Sequence, residues 1–273
     1  MSRFVLDAQG IGISFGGLKA VQSLTLQIPP RALHGLIGPN GAGKTTAFNL
    51  LTGVYQTQTG TIAVDGQATH GLPPHDIAKA GLSRTFQNIR LFSELSVLDN
   101  VRMGSHLRGR HGLWHTLLRT PRFVAQEIAM QARAMDLLTV FGLQDLAEEQ
   151  AKNLPYGSQR RLEICRALAT EPKVLLLDEP AAGLNPQETK DLARTIHRVR
   201  DEFQLAILLI EHDMGLVMEI CERITVLDYG VTIAEGEPAQ IQINPKVIAA
   251  YLGEPTPDDA ASGVATPTTA HGA

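Results

Sequence analysis

Gly38-Pro39-Asn40-Gly41-Ala42-Gly43-Lys44-Thr45 sets a glycine, four free positions and Gly-Lys-Thr in succession, the spacing of a phosphate-binding loop. Residues 32–37, just upstream, are apolar and predict a short strand; residues 46–52, just downstream, predict the first turns of a helix. Strand, glycine-rich loop and helix in that order are the setting the motif requires. Gly38, Gly41 and Gly43 let the backbone turn tightly and approach an anion without Cβ clashes. Successive N–H groups then line a concave nest, and the helix behind adds the positive end of its dipole. On this chemistry Lys44 reaches the outer phosphates of a nucleotide and the Thr45 hydroxyl ligates Mg²⁺.

At 273 residues the chain has room for one or two domains. A net charge of −4 supplies no basic field, so nucleic acid is not an expected partner. Cys165 and Cys221 have no metal or CxxC spacing and suit a reducing compartment. No apolar run approaches the ~20 residues of a membrane span, and the first residues are not those of a secretory leader. A role at a membrane is therefore expected to run through a partner.

Upstream of the loop, residues 4–13 and 24–28 predict strands, with Phe15 in the turn region between them. Phe15 is either a core aromatic or a ring that stacks on a purine. Downstream, residues 61–64 predict a strand, 72–75 open a short helix, and 82–86 predict a strand ending at Gln87. Residues 104–122 carry Arg108, Arg110, Arg119, Arg122 and Trp114. They read as a solvated surface insertion or as a patch touching lipid headgroups or a partner.

Residues 123–141 and 159–170 have helical spacing, with Arg160, Arg161 and Arg166 expected on a polar face. The apolar strand 173–178 ends in Asp178 and Glu179, and the apolar strand 205–210 ends in Glu211, His212 and Asp213. Such strand ends are where ligands bind in open α/β sheets. Asp178 is placed to hold a metal ion or its waters, Glu179 to polarise a water in line with the terminal phosphate, and His212 to sense that phosphate. Helices over 186–202 and 213–222 and strands over 224–227 and 231–234 complete the pattern. Residues 255–273, rich in Pro, Thr, Ala, Gly and Asp, predict a disordered tail.

Taken together, these motifs resemble the ATP-binding subunit of ABC transporters over about residues 4–253. The resemblance implies an α/β fold: a phosphate-loop NTPase core with a mixed sheet flanked by helices, an antiparallel β subdomain, and a helical subdomain at about 88–170. In it, residues 38–45 match the Walker A loop, and Gly38, Pro39, Asn40, Gly41, Ala42, Gly43, Lys44, Thr45 and Thr46 surround the nucleotide. Phe15 falls at the adenine-stacking position. Gln87 matches the Q-loop, residues 174–180 match Walker B with Glu179 as the catalytic carboxylate, and His212 matches the switch histidine. Lys44, Gln87, Glu179 and His212 are thereby implied as catalytic, and Thr45, Gln87 and Asp178 as Mg²⁺ ligands. Leu154-Pro155-Tyr156-Gly157-Ser158-Gln159 occupies the signature position, which touches the nucleotide of an opposing subunit, and Asn185 lies in the D-loop.

The Leu-Pro-Tyr-Gly signature, residues 181–189, the insertion and the ending 247–253 look like the larger ATPase subunit of bacterial branched-chain amino acid importers. That likeness implies ATP and Mg²⁺, a second related ATPase, two permeases, a periplasmic binding protein acting indirectly, and a place on the cytoplasmic face of the inner membrane. Related cassettes that export lipid or lipopolysaccharide, and soluble non-transport cassettes, are the rival readings. The sequence departs from the family where Pro155, Tyr156 and Ser158 stand in the signature and where Asn185 replaces an Asp. Pro155 offers neither a hydroxyl nor an N–H. Ile89, Leu91, Phe92 and Leu95 read as a socket for a permease helix or as packing within the helical subdomain.

Overall fold

The computed structural model describes residues 3–105 and 121–252. The heart of the fold is a six-stranded sheet in the order β10-β9-β3-β8-β7-β6. Its members are β3 (Leu33–Ile37), β6 (Leu82–Arg84), β7 (Val174–Asp178), β8 (Ala206–Ile210), β9 (Arg223–Asp228) and β10 (Val231–Gly236). All neighbours pair in parallel except β10 with β9. Every residue of β3, β7 and β8 is buried. Uninterrupted apolar runs of this kind arise when a parallel sheet is covered on both faces.

A second, antiparallel sheet has the order β2-β1-β4-β5, from β1 (Leu6–Phe15), β2 (Leu18–Ile28), β4 (Thr59–Val64) and β5 (Gln67–Ala68). Its apolar face joins β3, β7, β8 and helix α1 (Lys44–Leu51) in one core around Phe48 and Leu36. The other face of the large sheet carries a second core beneath the helices. These are α3 (Val97–Ser105), α4 (Pro121–Val140), α5 (Tyr156–Leu168), α6 (Pro186–Phe203) and α7 (Met214–Ile220). Short helices α2 (Pro74–Ala80), α8 (Pro238–Gln242) and α9 (Pro245–Leu252) complete the order. The α/β class with an antiparallel sheet and a helical part therefore stands as expected.

Several local expectations need correction. The span 14–23 is not a break: β1 runs to Phe15, Gly16 and Gly17 turn the chain, and β2 starts at Leu18. A two-residue glycine turn is enough for a hairpin. The strand expected over 82–86 stops at Arg84, although Thr85 N–H still reaches Leu176 O at 2.9 Å. Helix α3 was not among the expected elements. Its buried Asn100 bonds the backbone of Phe92 and Ser96, fixing the preceding loop.

Arg160 does not lie on a polar face. It is 1% exposed and paired with the equally buried Glu163 at 3.3 Å. Of the surface insertion expected at 104–122, Gly104 and Ser105 close α3 and residues 121–122 open α4, while 106–120 lie outside the described residues. The expected tail at 254–273 also lies outside them.

Candidate functional site

The parallel strands bring three chain segments to one edge of the large sheet. Asp178, the last residue of β7, is opposite Ile210, the last of β8. Ile37 ends β3 one strand further on, paired with Val226 of β9. The loops leaving β3, β7 and β8 thus start with Gly38, Glu179 and Glu211 side by side.

The phosphate loop needs its glycines for different reasons. Gly38 has φ +153°, and a Cβ there would sit 2.1 Å from the Leu227 carbonyl. Gly43 has φ +101°, and its Cβ would sit 2.4 Å from the Ala20 carbonyl. Gly43 is also the N-cap of α1; it supplies no side-chain bond, and the first turn holds no acidic residue. The opening amides of α1 are left to a ligand, the arrangement that suits an anion. Lys44 is 8% exposed, and its Nζ bonds Gly38 O at 2.6 Å and Pro39 O at 2.9 Å. Burial draws its pKa below the ordinary lysine range, while the charges of Glu179 and Asp178 oppose that shift. Asn40, Gly41 and Thr45 are exposed, Pro39, Gly43 and Thr46 half-buried, and Ala42 buried.

The acidic side of the mouth is held just as firmly. Asp178 is 1% exposed, and its Oδ2 accepts from Arg84 at 2.7 Å. Burial pushes its carboxyl up, and Arg84 pulls it back. Arg84 also donates to Asn49 of α1 at 2.6 Å and lies over the rings of Phe48 and Phe86. Glu179 adopts a left-handed backbone, φ +47°, with its N–H on Ile210 O. Such strain in a non-glycine residue gathers at functional sites. Gln87 Nε2 donates to Glu179 Oε2 at 2.9 Å. His212 Nδ1 lies 3.8 Å from the same oxygen.

Gln87, Glu179, His212, Lys44 and Asp178, expected together from sequence, are therefore together in space. Glu211 was not singled out among them. It is buried, and it accepts from the backbone N–H of Ala181 at 2.7 Å and of His212 at 3.1 Å. Burial raises its pKa, and those amides oppose the rise. Its place directly before His212 was the only available signal.

Phe15 is 45% exposed, which removes the core-aromatic reading, and it meets Tyr55 edge-on at 5.2 Å. Thr45, Asp178 and Gln87 offer only oxygen donors to an ion, a set that suits Mg²⁺. Among the described residues no cluster of His, Cys, Asp and Glu could cage a metal by itself. The donors present fit an ion that takes most of its shell from phosphates and water.

The signature stretch is drawn into α5. Pro155 is the N-cap, and Tyr156 and Gly157 form the first turn. Ser158 is buried, and its Oγ accepts from Arg161 at 3.0 Å. Gln159 bonds the Leu154 carbonyl, and Leu154 itself is buried. From the same helix Arg160 donates to the carbonyls of Phe86 and Gln87, so α5 grips the backbone of the Q-loop. Asn185 caps α6: its Oδ1 accepts from Gln187 and Glu188 N–H, and Glu188 returns the bond to Asn185 N–H. Phe92 is exposed on the wall of a groove of about 510 Å³ that also includes Phe86, Arg90 and Met103, whereas Leu91 packs on the core.

Comparison with known proteins agrees with this geometry. Residues 21–182 match the family model for ABC transporters, and residues 231–256 match that for branched-chain amino acid ATP-binding cassette transporters. The chain is 49% identical over 254 residues to the high-affinity branched-chain amino acid transport ATP-binding protein LivG of Escherichia coli, covering 93% of this chain and 100% of that one. It is 47% identical to BraF of Pseudomonas aeruginosa, a protein of the same description, over the same shares. Against the lipopolysaccharide export ATP-binding protein LptB of Escherichia coli it is 33% identical, covering 91% of this chain and 97% of that one. Among solved structures, an ABC transporter's ATP-binding cassette in its ADP conformation superposes with TM-score 0.80 at 28% identity, covering 93% of this chain and all of that one.

Proposed function

The chain belongs to the ABC transporter family, and on that premise we infer that it is the ATP-hydrolysing subunit of a branched-chain amino acid importer. The observation that carries the reading is the meeting of Lys44, Asp178, Glu179, Gln87 and His212 at the strand ends beside an uncapped helix. Identities of 47–49% to branched-chain transport ATPases, against 33% to the lipopolysaccharide exporter, support the cargo class. We assign the ATPase domain to residues 1–253.

The residues divide the work. The amides of the phosphate loop and α1 hold the phosphates, and Lys44 gives its charge to the outer ones. Phe15, with Tyr55 against its edge, offers its exposed face to the adenine. Thr45, Asp178 and Gln87 would hold Mg²⁺, which when bound would neutralise charge on the outer phosphates. Glu179 takes the proton of the attacking water, and Gln87 fixes the carboxylate that does so. His212 contacts the terminal phosphate and, beside Glu179, helps orient the water.

The signature, residues 154–159, and Asn185 face the nucleotide of a second, related ATPase subunit. Loss of the terminal phosphate contacts then opens the pair. No described helix is long and apolar enough to cross a membrane. In this reading motion passes to two permease subunits through the groove next to the Q-loop, where Phe92 is exposed, at the cytoplasmic face of the inner membrane. A periplasmic binding protein supplies the cargo to the permeases.

Reconstitution with the permeases and the partner ATPase in vesicles tests this. Leucine, isoleucine and valine uptake should require ATP and vanish with Lys44→Ala. Full uptake by that variant would overturn the reading.

A further inference from the structure

Tyr156 stands in the signature stretch, yet its side chain is tied to this chain's own catalytic pair. It is the first residue of α5 and is 46% exposed. Its hydroxyl accepts from Arg160 Nη2 at 3.1 Å, and the Arg160 guanidinium lies over its ring, 5.7 Å from the centre. The same Nη2 donates to Gln87 O at 2.9 Å, while Nη1 donates to Phe86 O at 3.0 Å and to Glu163 Oε2 at 3.3 Å. Glu163 Oε1 accepts from the N–H groups of Phe86 and Arg90. The Q-loop backbone is therefore gripped through its carbonyls by Arg160 and through its amides by Glu163.

A second contact runs to the loop that carries Glu179. A Cβ on Gly183 would sit 3.1 Å from Tyr156 Cε1 and 3.6 Å from the hydroxyl, so the ring lies against that backbone. Ala182 N–H bonds Glu179 O at 3.1 Å, which joins Gly183 to the carboxylate residue through one turn. Gln87 and Glu179 themselves meet at 2.9 Å. Tyr156 thus reaches both partners of that bond, Gln87 through Arg160 and Glu179 through Gly183. Nη2 carries two hydrogens, and the Tyr156 hydroxyl and the Gln87 carbonyl take one each. Arg160 is 1% exposed, and its Nε finds no acceptor among the described residues. Removing the hydroxyl strands a further buried donor and frees the guanidinium to turn away from Gln87.

We propose that Tyr156 is a positioning residue for hydrolysis at this chain's own ATP site: it holds Arg160 and Gly183 and so keeps Gln87 in register with Glu179. The inference rests on the ATP-hydrolysis reading above. The stretch that faces the opposing subunit's nucleotide then also sets the water-activating pair on its own side, which couples the two ATP sites within one chain.

The test uses the assembled transporter with the partner's catalytic glutamate changed to glutamine, so that the turnover measured is this chain's. Tyr156→Phe keeps the ring and removes the hydroxyl. Its kcat should fall about fivefold, the counterpart of one net hydrogen bond. KM for ATP, binding of a fluorescent ATP analogue and the melting temperature of the isolated chain should match the native values. An unchanged kcat overturns the proposal and leaves the hydrolysis reading intact. A lower kcat with weaker analogue binding also overturns it, because Tyr156 then acts only on the opposing nucleotide. A lower kcat with a lower melting temperature overturns it as well, because it marks a general packing role. If the assembly with native Tyr156 hydrolyses no ATP, the hydrolysis reading for this chain's site falls, and the proposal falls with it.

Discussion

Gln87 donates a 2.9 Å hydrogen bond to the Glu179 carboxylate oxygen that His212 approaches to 3.8 Å. One oxygen is thus addressed from the end of β6 and from the end of β8, with Glu179 between them in a left-handed backbone. A carboxylate held this way has little freedom except toward the mouth. Glu179→Gln should cut phosphate release by at least about 100-fold while leaving nucleotide binding intact, the usual scale for removing a general base. Single-turnover phosphate release and analogue binding on the same sample separate the two effects. Loss of binding would show that Glu179 shapes the pocket and does not act on water.

Arg84 is the counterion of a carboxylate that is 1% exposed. Removing one member of a buried pair strands the other, which costs about 3–5 kcal/mol. Arg84→Met should destabilise the chain toward the lower end of that range, since the Lys44 ammonium also acts on Asp178. The double change Arg84→Met with Asp178→Asn should recover part of the loss. Urea denaturation of the three proteins checks both statements, and an unaltered midpoint for the single variant would contradict them.

The two ATP sites of the assembled transporter should be unequal. Pro155 has no hydroxyl or N–H to offer, and the nearby Ser158 is buried with its Oγ accepting from Arg161. The site using this chain's signature is therefore expected to be the weaker one. Glu179→Gln in this chain should abolish most turnover, and the equivalent change in the partner should abolish less. Equal losses in steady-state ATPase assays would count against the asymmetry.

Stability should fall with acid through a residue far from the chemistry. His34, on β3, is 1% exposed and bonds Thr225 Oγ1 at 2.8 Å. Burial lowers its pKa from 6.5 to about 4, with Glu235 raising it and Arg223 lowering it by smaller amounts. Below pH 6.5 the unfolded chain takes up a proton that the folded chain refuses until about pH 4. Stability is thus full above pH 6.5 and declines as pH falls to 4, by about 3 kcal/mol from this group. Urea midpoints across that window should be flatter for His34→Gln than for the native chain.

Motifs that are contiguous in sequence were legible because their spacing alone dictates geometry. Residues 38–45 have the spacing of a tight anion loop, and a buried strand ending in Asp178-Glu179 delivers both to a sheet edge. Groups that act across the fold were not legible. Arg84 reads as an ordinary arginine until β6 pairs with β7, and Arg160 looks solvated until the Q-loop backbone is laid beside it. Tyr55 gains meaning only from Phe15 on the hairpin end. Asn185 read as a lost charge, whereas the structure gives it a full capping box.

The matched ends of β7 and β8, with Asp178 facing Ile210, make the two five-residue strands behave as a pair of rulers. Lengthening either by one residue would carry Glu179 or His212 past the other and turn neighbouring side chains to opposite faces. Chimeras that graft segments between this cassette and its relatives should therefore join at surface turns and move whole strands. A splice inside one ruler alone would leave a folded sheet in which Glu179 and His212 no longer meet.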